Sequence, residues 1–165
     1  MDLLTFEKSF EKYKDKEGEY LTVRILINGK PLLDIARDYE QPYAKRNNRD
    51  DLAGSYSVDP IYLYRYLTDP RLRSAGSYKF PALVCECGCE GCYDLEATFI
   101  EKDNEIIWSD FHNRLHSTPT SPIGYYDYSD FPVFHFNKQQ YEQALTVFAD
   151  IRSLIFQNLN INTEH

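Results

Sequence analysis

The chain has 165 residues, 26 of them acidic against 18 basic, for a net charge of -8 and a pI near 5.0. That balance argues against a nucleic-acid partner, because phosphate contacts need lysine and arginine to displace condensed counterions, and it favours encounter with a basic protein. The length suits a single domain over residues 1–165. No apolar run approaches the roughly 20 residues of a membrane span, and no basic-then-apolar segment marks export, so the expected setting is cytoplasmic.

In chain order, Leu3, Phe6, Phe10 and Tyr13 recur at spacings of three and four, which predicts a short N-terminal helix ending near Gly18. From Tyr20 the pattern becomes strict alternation, with Leu21, Val23, Ile25 and Ile27 on one face of a strand. It runs into Asn28-Gly29, a pair suited to a tight hairpin turn, and the segment from Lys30 toward Ile35 is expected to return antiparallel. Residues 44–55 read as a loop, and Pro60 after Asp59 predicts a short helix over 60–67.

Strands follow at Tyr78–Glu86, Asp94–Ile100 and Glu105–Phe111, the last two joined by a tight turn at Asp103-Asn104. Residues 116–130 read as a second loop. Asn137 with Gln140 forms a capping-box signal before Tyr141, Ala144, Leu145, Phe148, Ile151 and Ile155, which predicts a long C-terminal helix. The resulting class is α+β: two layers, an antiparallel β-meander covered by the long C-terminal helix and a short N-terminal helix.

All four cysteines, Cys85, Cys87, Cys89 and Cys92, lie within eight residues, a spacing that suits local thiol chemistry rather than a disulfide framework. Thiolates are soft ligands and zinc is the natural ion, although four sulfurs from so short a segment fit a tetrahedron poorly and call for a second segment. A two-residue turn at Asp103-Asn104 pairs residues whose numbers sum to 207, which places His112 opposite Leu95 and His116 opposite Gly91. A site of Cys85, Cys87 and Cys92, completed by His116 or Cys89, is one reading. Packed thiols, or a local Cys87–Cys92 redox disulfide, are the others. Glu86, Glu90 and Asp94 surround the cluster and oppose the lowered thiol pKa that redox catalysis needs.

The run Cys85-x-Cys87-Gly88-x-x-Gly91-Cys92, followed by Trp108-Ser109-Asp110-Phe111 and a helix bearing Tyr141, resembles a family of small uncharacterised bacterial proteins. Its members share a cysteine-glycine turn and a WSDF-type strand. The likeness spans residues 83–145, implies a set of three cysteines to which Cys89 is additional, and brings no activity with it.

Across the hairpin Trp108 faces Phe99 and Ile107 faces Ile100, pairs that burial explains. Ser109 and Asp110 point to opposite faces, so no catalytic triad with His112 follows, and no nucleotide, zincin or nucleophile-elbow motif is present. The loop HSTPTSPIGYYDYSDFP offers Tyr125, Tyr126, Asp127, Tyr128 and Asp130, residue types that suit contact with a basic protein; the plain alternative is an edge strand with solvated aspartates. The sequence therefore leads to a non-enzymatic binding protein, in its concrete form an immunity or antitoxin protein against a basic bacterial toxin. The alternative is a zinc-binding or thiol-redox protein.

Overall fold

In the computed structural model, residues 1–12, 16–87, 91–151 and 153 are described. The first segment is a strand, β1 (Leu4–Lys12), and not the expected helix. Its apolar residues fit both periods. The choice is made by β2 (Glu19–Ile27), whose alternation offers a partner for every β1 residue, from Leu4 opposite Ile27 to Lys12 opposite Glu19. In that register Leu4 and Phe6 are buried with Val23, Ile25 and Ile27, while Phe10 is left 66% exposed.

The hairpin turn forms as its sequence demands, with Asn28 at φ 53° and Gly29 at φ 81°. The return strand β3 is only Lys30–Pro31, because Pro31 has no N–H for the ladder, and the chain enters helix α1 (Leu32–Arg46) in place of a strand to Ile35. That helix also takes up the start of the expected 44–55 loop. Asp59 accepts hydrogen bonds from the Ile61 and Tyr62 amides and caps α2 (Pro60–Thr68), and Asp69 caps the single turn α3 (Pro70–Arg73) in the same way.

The remaining strands are β4 (Tyr56–Ser57), β5 (Ser77–Cys85), β6 (Leu95–Glu101), β7 (Glu105–His112) and β8 (Phe134–Asn137), antiparallel neighbours in that order. The predicted register holds from Glu101 opposite Ile106 through Phe99 opposite Trp108 to Thr98 opposite Ser109. There it shifts. Asp110 turns to φ 52°, a bulge inserts one extra residue, and His112 comes opposite Glu96 rather than Leu95. The small β1-β2-β3 sheet meets both outer strands of the larger one: Asp2 bridges Phe136 in β8, and the Thr22 hydroxyl donates to the Val58 carbonyl, 2.7 Å away, just beyond β4.

Asn137 caps helix α4 (Lys138–Ala144) as predicted, accepting from the Gln140 amide at 3.0 Å. The Gln140 side chain, however, does not close a capping box. Its amide nitrogen donates to the Leu4 carbonyl (2.6 Å) and its oxygen accepts from the Leu4 N–H (3.3 Å), because β1 leaves that peptide without a strand partner on this side. The long helix is broken by a turn at 145–146 before helical backbone resumes at 147–151; Ile155 lies outside the described residues. Tyr141 carries α4 onto the sheet, its ring against Trp108, Phe99 and Phe136 at 6.0, 6.1 and 5.8 Å between centroids. The structure is thus an α+β arrangement of antiparallel sheets with helices, and one continuous set of buried apolar residues runs across both sheets.

Candidate metal centre

Strand β5 ends at Cys85, which lies opposite Tyr56, and its carbonyl accepts from the Ser57 hydroxyl at 2.9 Å. The chain then doubles back to β6 through the cysteine turn, where Gly91 takes φ 84° and its amide donates to the Asp94 carboxylate at 2.7 Å. The result brings the Cys85, Cys87 and Cys92 sulfurs within 4.8 Å of one another. None of the three is in a disulfide; Cys85 is half-buried and the other two are exposed. Burial pushes the Cys85 thiol up to about 12, with the adjacent Cys87 and Cys92 thiols adding to the shift, the direction opposite to that of an activated nucleophile. Three converging sulfurs are instead a soft-ion ligand set. Cys89 lies outside the described residues.

His116 does not join them. β7 ends at His112, Asn113 caps a single 3₁₀ turn, and His116 on that turn is fully buried. Its Nδ1 faces the Gly124 carbonyl at 2.7 Å, so it carries the proton and donates; its Nε2 accepts from the Tyr93 hydroxyl at 2.5 Å. Burial lowers its pKa, consistent with a neutral ring, and the ring stacks on Tyr126 at 3.6 Å. Both nitrogens are occupied. Hairpin arithmetic brought His116 toward the right neighbourhood, but the bulge shifted the register, β7 ended at His112, and Tyr93, the neighbour of Cys92, took the imidazole.

The aromatic loop is likewise turned inward. Tyr126 is 1% exposed, and half-buried Tyr128 donates its hydroxyl to Glu40 at 2.5 Å. The loop backbone is fastened to α1, where the Tyr39 and Tyr43 hydroxyls both donate to the Asp127 carbonyl, at 2.5 and 3.1 Å. Tyr125, Asp127 and Asp130 remain exposed, and the Ser129 amide holds the Asp127 carboxyl below its usual value. Of the tempting catalytic residues, Ser109 is buried and its hydroxyl donates to the carboxylate of exposed Asp110 at 3.4 Å despite their expected opposite faces, while His112 donates toward the Asp110 backbone carbonyl and reaches Glu96 at 3.4 Å.

Beneath the loop lies a feature the sequence reading missed. Glu40 is fully buried; its Oε1 accepts from the Gly54 amide (2.9 Å) and its Oε2 from the Tyr56 (2.7 Å) and Tyr128 hydroxyls. Burial raises its pKa against those three hydrogen bonds. The available signal was the spacing of Leu32, Ala36, Glu40 and Ala44, one buried stripe at steps of four that becomes visible once α1 is recognised.

A separate cavity of about 360 Å³ opens between β2 and β4, away from the thiols, bounded by Thr22, Arg24, Pro31, Tyr56, Val58 and Leu83. Among the described residues no helix is long and apolar enough to cross a membrane. No family model, curated protein or solved structure matches the chain.

Proposed function

We propose that the chain is a non-enzymatic protein that binds a thiophilic ion through Cys85, Cys87 and Cys92 in a reducing, cytoplasmic setting, zinc being the divalent candidate. The observation that carries this reading is the approach of three sulfurs, none of them in a disulfide, to within 4.8 Å on one short turn. The likeness to bacterial proteins with the same cysteine-glycine turn points to the same three residues. The test is alkylation of the reduced full chain with and without zinc chloride. Protection of Cys85, Cys87 and Cys92 together is expected, and Cys87→Ser should abolish it; if zinc and other thiophilic ions protect no thiol, the reading fails.

A second reading keeps a basic protein partner, such as a toxin that the chain would neutralise. It is supported by a loop whose inward Tyr126 and Tyr128 fix the outward Tyr125, Asp127 and Asp130 on a chain of net charge -8. Lysine at both aspartates should slow association with such a partner and reverse its salt dependence. An unchanged rate would remove the loop from the interface.

A further inference from the structure

We infer that the cysteine turn takes a trivalent, three-coordinate ion of the arsenite class in preference to a divalent metal, an inference that rests on the thiophilic-ion reading above. The first ground is ligand number. Cys85, Cys87 and Cys92 converge, and among the described residues no histidine, carboxylate or further cysteine brings a ligand atom within the same 4.8 Å of all three. His116, the one imidazole that the hairpin register aimed at the turn, has its nitrogens committed to Gly124 and Tyr93. Zinc fills four positions with protein ligands at a structural site. Trivalent arsenic forms three bonds and directs a lone pair at the fourth, so three sulfurs complete its shell.

The second ground is charge. Glu86, Asp94 and Glu96 flank the turn on a chain of net charge -8. Three thiolates around a divalent ion make a complex of charge -1, and around a monovalent ion one of charge -2; around a trivalent ion the complex is neutral. Placing the neutral complex among carboxylates avoids the like-charge repulsion that the others meet. The third ground is access: Cys87 and Cys92 are exposed, so the ion reaches its ligands from solvent without opening the core.

The reaction balances without an oxidant or a base. Arsenious acid, As(OH)₃, meets three thiols; each As–O bond is replaced by an As–S bond, and each departing hydroxide takes one thiol proton and leaves as water. Arsenic stays trivalent, the sulfurs are neither oxidised nor reduced, and three waters are the other product.

The experiment presents the reduced, desalted full chain with equimolar sodium arsenite and zinc chloride together, and reads native mass and thiol alkylation. The expected species carries one arsenic in place of three protons, no zinc, and protection of Cys85, Cys87 and Cys92. Cys89→Ser should leave that result unchanged, whereas Cys92→Ser, at an exposed position, should weaken arsenite binding at least about tenfold. A chain that retains zinc in the presence of arsenite, or that needs Cys89 for binding, overturns the trivalent preference and leaves the thiophilic centre standing. Protection by neither ion removes both.

Discussion

Replacing Glu40 by alanine would strip the acceptor from three donors at once: the Gly54 amide, the Tyr56 hydroxyl and the Tyr128 hydroxyl. Gly54 and Tyr56 are buried, so water cannot take the lost acceptor's place. Each buried group left unsatisfied costs about 1–3 kcal/mol, while removal of a desolvated carboxylate returns part of that, so a net loss of roughly 3–5 kcal/mol is expected. That is a large share of the roughly 5–15 kcal/mol that holds a domain together. Glu40→Gln keeps the shape and one oxygen; the amide nitrogen then faces hydroxyls that must turn to accept, at a cost of about 1–2 kcal/mol. The two variants also differ from the parent in pH dependence. Burial raises the folded pKa of Glu40, so the folded chain holds this proton more tightly than the unfolded one. Its stabilising contribution is full below the unfolded value and is lost as pH rises through the folded value. The gap between parent and Glu40→Gln should therefore narrow from acid toward neutral pH. Urea unfolding followed through the buried Trp108 measures both quantities. A Glu40→Ala protein as stable as the parent, or a gap that widens as pH rises, would refute the reasoning.

Gln140→Ala removes both side-chain partners of the Leu4 peptide and should cost about 1–3 kcal/mol, seen as a lower urea midpoint with an unchanged slope. Gly54→Ala should lose more stability than Gly76→Ala, although both glycines hold positive φ, at 66° and 77°. A methyl at Gly54 would sit 2.7 Å from Arg37 Cβ, whereas one at Gly76 meets nothing within 4 Å; a left-handed non-glycine residue alone costs roughly 1–2 kcal/mol, and equal melting points for the two variants would show that the contact with Arg37 is relieved at no cost.

Local chemistry was legible in the sequence and long-range choice was not. The Asn28-Gly29 turn, the helix start at Pro60 and the β6–β7 register up to Ser109 each depend on a few adjacent residues, and each formed as read. The N-terminal segment carried a helical spacing and a strand spacing together, and only the presence of β2 decided between them. Helix α1 was hidden by Pro42 and by charged residues along its length, with Glu40 in the middle of its buried stripe. The cysteine set was visible because its members are neighbours in the chain. His116 was misassigned because a register cannot be extrapolated past a bulge, and nothing local to Asp110 announces a left-handed conformation. Tyr126 and Tyr128 turn inward because the residue type that serves interfaces packs equally well inside: Tyr126 stacks on His116, and the Tyr128 hydroxyl finds a buried acceptor in Glu40.

The strand inventory also bears on how this chain behaves when crowded. An open strand flank is a template on which a second molecule can add its own strand, the first step toward fibrils. Here β3 and β4 are two residues long and β3 stops at a proline that has no N–H to give. The long flank, β1, carries Glu7, Lys8, Glu11 and Lys12 along its length, so a second copy docking in register would set like charges near one another. Short length at β3 and β4 and alternating charge along β1 thus disfavour strand addition by a second copy at these three described flanks.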